Sequence, residues 1–358
     1  MTTTLKIVPV LIIVPVLIIV ALASYLGPAS AAVNQSAVVL QYHNVGYDTP
    51  VTTSITPETL TLHIKWLRDN NFTILPLTEV VSTLRKKKAF ASDKVVAITF
   101  DDANISVCDT AWPILKKYKI PFTLFISTDA IEKQYSSQCS WENLKEMVKS
   151  GLMTPANHSH RHLNMVSGEL LKSPALWKST MQEEITKANE LIALNLGINS
   201  RLFAYPYGEY NAELALLVTQ SGFTGFGQHS GALGYLSDFS ALPRFPASGQ
   251  HANLETLSVK LLSLPFPARY HVEHDNPIRI NGPHNPPKLV IESNDPYILA
   301  NSQCFNAAGE RLVNAVINNE IVVQAPSALP AGRHRYTCTC KSPDSDRFFW
   351  LSQQWLVE

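Results

Sequence analysis

The chain has 358 residues, of which 46% are hydrophobic and only 16% charged, with a formal net charge of zero. That composition suits one large domain with a smaller one and excludes an intrinsically disordered chain. The balanced charge provides no basic field to hold a polyanion, so nucleic acid is excluded as a partner.

After Lys6 the chain runs through "IVPVLIIVPVLIIVALA", an uncharged apolar stretch that repeats Val-Pro-Val-Leu-Ile-Ile at 8–13 and 14–19. "GPASAA" follows, with Ala29 and Ala31 in an A-x-A spacing. Residues 1–31 therefore read as a signal peptide, and the rest of the chain as exported, periplasmic or secreted. A membrane tether is expected only if this segment stays uncleaved.

Residues 32–270 alternate short apolar runs with amphipathic segments. "AVVLQYH" reads as a buried strand, and Thr56 and Pro57 as the N-cap and first position of a helix through about Asp69. "FTILPL" is a strand and "TEVVSTLRKKK" a helix with basic residues in its last turn. "KVVAITF" is the cleanest strand. A helix over 107–119, the strand "PFTLFIS", a helix over 141–149 and a strand approaching His158 come next. A helix over 175–196, the strand "RLFAYPY", a helix over 211–221 and "GFTGFGQ" continue the alternation. About seven such units argue for the α/β class, with a parallel sheet closed into a distorted (β/α)7-type barrel and helices outside it.

Past residue 270 the texture changes. "NPIRINGPHNPP" is rich in Pro, Asn and Gly, and residues 271–284 read as a linker. "KLVIES", "ERLVNAVI", "EIVVQA", "HRYTCTC" and "FFWLSQQWLV" are β-type runs without intervening helices, so residues 285–358 read as a small all-β, sandwich-like C-terminal domain. Tyr336, Phe349, Trp350 and Trp355 are expected in its core. The cysteines are Cys108, Cys139, Cys304, Cys338 and Cys340. An odd count leaves at least one thiol unpaired, and Cys304 is expected to bridge Cys338 or Cys340.

In α/β barrels reactive groups gather at the carboxyl ends of the strands. "VVAITFDD" ends in Asp101 and Asp102, adjacent carboxylates that repel each other unless a cation or a basic group lies between them. "HSHRH" supplies His158, His160 and His162. On a helical turn the i, i+4 spacing puts the imidazoles of His158 and His162 on one face and sends His160 elsewhere. Two imidazoles and one carboxylate leave coordination positions open for water and substrate, the catalytic pattern for zinc. Such a metal polarises a carbonyl oxygen and lowers the pKa of its water toward about 7, and the second Asp is free to take a proton.

"TFDD" at 99–102, H-S-x-x-H at 158–162 and "FAYPYGEYN" at 203–211 resemble the motifs of the polysaccharide deacetylases of carbohydrate esterase family 4, the NodB-homology fold. "QYHNV" at 41–45 and the "RDNNFTILPL" region resemble the branch of the poly-N-acetylglucosamine deacetylases. Over residues 37–265 the resemblance implies a divalent metal, most often Zn2+, and an acetylated poly- or oligosaccharide substrate that loses N-acetyl groups. It implies Asp101 as general base, Asp102, His158 and His162 as metal ligands, and the Tyr207 backbone N–H as oxyanion donor. The late Leu-x-His motif of most of the family has no convincing copy after residue 225. In the branch with an N-terminal Tyr-His the early histidine serves instead, so the resemblance implies His43 as general acid, with His229 of "FGQHSG" in reserve. Two departures stand out. The usual Gly after Asp-Asp is Ala103, where a turn with φ > 0 would be strained. The Arg usual before the third motif is replaced by Ala204, and Arg244 of "LPRFP" is expected to pair with the base instead. Asn157 reads as an orienting hydrogen-bonder. The same chemistry would serve an O-acetyl esterase acting on xylan-type glycan, and the departures also admit a degenerate carbohydrate-binding protein.

Overall fold

The computed structural model describes residues 34–358, together with Thr2. The signal segment expected over 1–31 lies outside the described residues apart from Thr2. Among the described residues no helix is long and apolar enough to cross a membrane.

Strand β1 (Val38–Tyr42) is buried along its whole length, as a parallel strand covered on both faces must be. Helix α1 (Pro57–Asp69) starts where the Thr56 hydroxyl accepts from the Thr59 N–H and Pro57 takes the first turn. Then come β2 (Thr73–Ile74), α2 (Leu77–Arg85), β3 (Val95–Phe100), α3 (Trp112–Lys117), β4 (Phe122–Ile126), α4 (Trp141–Lys149) and β5 (Met153–Asn157). They are followed by α5 (Pro174–Leu196), β6 (Leu202–Ala204), α6 (Ala212–Gln220), β7 (Thr224–Phe226) and β8 (Phe245–Pro246). The strands pair in parallel in the order β8-β1-β3-β4-β5-β6-β7, with β2 added on β3. Leu242 bridges to Phe226 of β7, while Phe245 pairs with Leu40 of β1. The two edges of the sheet thus meet across one short segment, and the sheet curls into the distorted barrel that the alternation suggested.

Period-2 alternation sorts the side chains. Val39, Ala97, Phe125, Ala156, Ala204 and Phe226 meet in one cluster inside the sheet. Leu40, Ile98 and Leu124 point the other way, into a cluster with Leu60, Ile64 and Leu115 of the helices. Gln41, Thr99 and Asp101 continue the inner face of β1 and β3 toward the carboxyl ends, where a polar group must find a partner. The helix expected over 107–119 is divided into a wide π-turn at Val107–Ala111 and then α3. Pro113, with no N–H to give, accounts for the break. A disulfide the sequence did not single out, Cys108–Cys139, ties this turn to the loop before α4.

After α7 (Leu254–Leu261) the chain becomes all-β apart from α8 (Pro296–Asn301). Its strands are β9 (Leu264–Pro265), β10 (Arg269–Val272), β11 (Lys288–Glu292), β12 (Gln303–Phe305), β13 (Val313–Ile317), β14 (Glu320–Gln324), β15 (Gly332–Lys341) and β16 (Phe348–Val357). They form two four-stranded sheets, β9-β16-β15-β12 and β10-β11-β14-β13, around a core that includes Leu289, Ile321, Tyr336 and Trp355. Cys304 bridges Cys338, its cross-strand partner, and Cys340 is free. The pairing begins earlier than the change in texture, because β10 is already antiparallel to β11. The stretch read as a linker is strapped onto β16: the Ile278 N–H donates to the Leu356 carbonyl at 2.7 Å. Its backbone groups find partners there, so Pro and Gly content did not make it a free connection. Trp350 leaves the sandwich core. Its ring lies 5.4 Å from that of Phe245, and its Nε1–H donates to Ser230 Oγ at 3.1 Å, joining the two units.

Candidate active site and metal centre

Asp101 follows β3 directly and is fully buried, which is costly for a carboxylate without partners. Arg244, also fully buried, supplies them: Nη1 donates to Oδ1 at 2.6 Å and Nη2 to Oδ2 at 2.8 Å. This two-point geometry is the strong form of an ion pair. The guanidinium is itself held by the Gly227 carbonyl (Nε, 2.9 Å), by Thr99 Oγ1 (3.3 Å) and by the face of Phe125, 5.1 Å away. Gln41 Nε2 donates to Asp101 Oδ2 at 2.6 Å. Gln41 escaped the sequence reading, although a polar residue in a wholly buried strand is itself a signal. Burial pushes the Asp101 carboxyl up, and Arg244 outweighs it, leaving the group below its ordinary pKa and ionised. His43, one residue past β1, places Nε2 3.9 Å from Asp101 Oδ2.

Asp102 and Ala103 take left-handed conformations, with φ of 72° and 62°. The chain therefore turns sharply after Asp101 and sends the two adjacent carboxylates to different partners. At Ala103, where the sequence reading held that φ > 0 would be strained, the turn does take φ > 0, and the strain is present. The methyl group is buried, and a left-handed alanine costs about 1–2 kcal/mol relative to the right-handed form. Ala103→Gly is expected to raise the midpoint of urea or thermal unfolding, a net gain of roughly 0.5–1 kcal/mol after the added freedom of the unfolded chain. A lowered midpoint would contradict this account of the turn.

His158 follows β5, its N–H donating to the Ile126 carbonyl. Its Nδ1 lies 2.8 Å from the Ala204 carbonyl oxygen, which requires the proton on Nδ1 and leaves Nε2 as a lone-pair donor. That Nε2 is buried, has no hydrogen-bond partner among the described residues, and lies 3.4 Å from Asp102 Oδ1. His162 Nε2 is 3.5 Å from the same oxygen, and the two imidazole centroids are 4.8 Å apart. One ligand atom from each of Asp102, His158 and His162 lies within 4.8 Å of the others.

The rings converge, but not on a helix. Ser159 and His162 have φ of 65° and 56°, and a side-chain turn replaces the helical one. Ser159 Oγ accepts the His162 N–H at 3.0 Å, and Asn157 Oδ1 accepts the Ser159 N–H at 2.8 Å. Asn157 Nδ2 is anchored on the Ile185 carbonyl of α5 at 2.8 Å. His160 faces away, with Nδ1 2.9 Å from Thr128 Oγ1 and Nε2 3.6 Å from Asp129. Arg161 pairs with buried Glu184 at 2.5 Å.

The electrostatics favour a cation. Burial lowers the His162 pKa, with His158 adding to it, to about 4, so this imidazole is a neutral donor. For Asp102 burial acts upward and the His158 ring outweighs it, leaving an ionised carboxylate. For His158 burial disfavours the proton, but the Asp102 and Asp101 carboxylates outweigh it and raise the pKa. An orphaned buried nitrogen is costly, and a metal bond would satisfy it. Two imidazole nitrogens and one carboxylate thus fit a divalent ion with open positions.

Tyr207 lies in the Pro206–Gly208 turn with φ 58° and ψ 4°. The residue is 40% exposed, and its ring makes a T-shaped contact with that of His162, the centroids 4.6 Å apart. Tyr205 is packed core, its hydroxyl donating to the Ser240 carbonyl at 2.6 Å. The reserve candidate His229 is buried, and neither ring nitrogen has a partner among the described residues. Burial, then Arg335 and Arg244, push its pKa down to about 3. A ring that stays neutral over the physiological range is a poor proton donor, so His229 is set aside.

Residues 88–226 match the family model described as polysaccharide deacetylase. The chain is 31% identical over 185 residues to the poly-beta-1,6-N-acetyl-D-glucosamine N-deacetylase of Staphylococcus aureus (strain MRSA252), covering 51% of this chain and 63% of that protein. It is 28% identical over 231 residues to the protein of the same name from Staphylococcus epidermidis, covering 60% of this chain and 79% of that one. Among solved structures, IcaB from Ammonifex degensii matches with a TM-score of 0.55 at 25% identity, over 63% of this chain and 97% of that one. The Streptococcus pyogenes deacetylase PplD, in complex with acetate, has the same fold, with a TM-score of 0.57 at 22% identity over 63% of this chain and 98% of that one.

Proposed function

We propose, on the premise that this chain carries a polysaccharide deacetylase domain with distant homology to the poly-N-acetylglucosamine deacetylases, that it is a metal-dependent N-deacetylase. Its substrate would be a poly- or oligosaccharide containing N-acetylglucosamine, and its products acetate and a free amine. The observation that carries this reading is the convergence of Asp102, His158 and His162 beside the buried, arginine-paired Asp101.

Asp102, His158 and His162 would hold the ion, and the donor set favours Zn2+. Such an ion supplies Lewis acidity to a carbonyl oxygen and makes a bound water more acidic. Asp101, kept ionised by Arg244, takes a proton from the water that attacks the acetamide carbon. The Tyr207 backbone N–H donates to the oxyanion, a contact typically worth about 3 kcal/mol of barrier. As the C–N bond breaks, His43 gives a proton to the departing nitrogen, on the same side of the site as Asp101. Two disulfides suit an exported protein, which agrees with a substrate outside the cytoplasm.

The test is acetate release from N-acetylglucosamine oligomers. Activity should vanish with a chelator and return with added Zn2+, and undiminished release by metal-free protein would defeat the reading. His43→Ala should lower amide hydrolysis by about 10²–10⁴-fold. It should lower hydrolysis of a matched acetyl ester far less, because an alkoxide leaves with less need of a proton. Equal losses would remove His43 from the acid role.

A further inference from the structure

The β15–β16 hairpin lays one face on the barrel. Arg333 stands opposite Leu356 and Arg335 opposite Gln354, so these residues share a face with Ser352 and Trp350. Leu356 joins the cluster of Trp177, Tyr205 and Leu214, and Ser352 Oγ donates to the Ser230 carbonyl at 2.6 Å. Beside Leu356 the same face reaches Tyr207. The Arg333 guanidinium carbon lies 4.9 Å from the centroid of the Tyr207 ring, and Gln354 Nε2 donates to the Tyr207 carbonyl at 3.4 Å. Arg333 Nε is held in turn by Glu209 Oε1. Glu209 is 1% exposed, and its second oxygen has no partner among the described residues. A buried carboxylate kept beside one arginine fixes that arginine in place.

We infer that Arg333 is a positioning residue of the active site, and that the C-terminal β unit completes the site rather than being merely appended to it. Tyr207 is in the left-handed region, which a tyrosine keeps only where its surroundings hold it there. His162 meets its ring in a T-shaped contact, Arg333 covers a face, and Gln354 takes its carbonyl. The hairpin thereby aims the Tyr207 N–H and braces His162. The role given to this N–H rests on the deacetylase reading above; the bracing itself does not.

Full-length Arg333→Ala, Tyr207→Ala and the double variant test this through two readouts. In hydrogen–deuterium exchange, Arg333→Ala should speed exchange over 203–211 and leave 122–126 unchanged. In acetate release, it should lower kcat about tenfold with little change in KM, as misplacement of a donor does. In the Tyr207→Ala background the same substitution should change kcat less than about twofold, the non-additivity of residues acting through one contact. Ser352→Ala, which removes an interface hydrogen bond away from Tyr207, should affect neither readout. Arg333→Ala/Glu209→Gln removes the stranded charge and should behave as Arg333→Ala does, separating loss of positioning from misfolding. Unchanged exchange over 203–211, or additive losses in kcat, would overturn the inference. If wild-type protein releases no acetate while exchange responds as stated, the deacetylase reading fails and the bracing of Tyr207 stands.

Discussion

Asp102→Ala and His158→Ala are each expected to lower acetate release by more than about a thousandfold, equivalent to about 4 kcal/mol of barrier, and to abolish stoichiometric metal binding. Three protein donors are the usual minimum for a catalytic zinc site, and each substitution leaves two. The two variants should differ in stability. His158 is wholly buried, bonded to the Ala204 carbonyl and in contact with the ring of His162, so its removal opens a cavity. Asp102 is partly exposed, so its removal opens no comparable cavity, but it loses the carboxylate's attraction to two imidazoles and places an alanine where φ is 72°. Compared with chelated wild type, both variants should therefore unfold at a lower denaturant concentration, His158→Ala at the lower of the two. Metal analysis, acetate assay and urea unfolding on the same preparations check all three points. Stoichiometric metal or full activity in Asp102→Ala would remove this residue from the ligand set.

Parallel strands buried on both faces appear in sequence as near-continuous apolar runs, so β1, β3 and β4 could be read directly, and their alternation with helices gave the architecture. The candidate ligands were legible for a different reason: an Asp pair at a strand end and a dense histidine run are costly unless they have partners. What local pattern could not supply was the backbone path. The His158–His162 spacing suggested a helical face, whereas the rings meet through a turn built on Ser159 and Asn157 with two left-handed residues. The contacts of Asp101 with Gln41 and Arg244 span 60 and 143 residues, beyond any periodicity. The C-terminal unit was read late for a related reason. β10 is half exposed, and its neighbouring strap is Pro- and Gly-rich, so composition hid a paired strand. Arg333 and Gln354 were not singled out, because the groups they meet, Glu209 and Tyr207, lie far away in sequence, in the other unit.

Arg244→Leu should both destabilise the fold and disable the base, and the pH dependence separates it from an ordinary core defect. In the native protein the Asp101 pKa is held below its unfolded value, so the ion pair stabilises the fold above the unfolded pKa. That contribution disappears as pH falls through the depressed folded pKa. With leucine at 244, burial is no longer opposed by the guanidinium, and the Asp101 pKa moves upward. The variant should then be least impaired in acid, where Asp101 is neutral, and lose stability relative to wild type as pH rises toward 7. Near neutrality the loss should be about 3–5 kcal/mol, that of a buried ion pair with one partner removed. The acid limb of the kcat/KM profile should shift to higher pH in parallel, because the base is now protonated over a wider range, and activity at pH 7 should fall by at least about a hundredfold. Arg244→Lys keeps a charge but cannot donate to both Asp101 oxygens, Thr99 and the Gly227 carbonyl from one planar group. It should therefore recover part of the stability and little of the activity. Unfolding curves and rate profiles from pH 4 to 8 provide the check. An acid limb identical to wild type, with stability reduced equally at every pH, would mean that Arg244 fills space beside Asp101 without governing its charge.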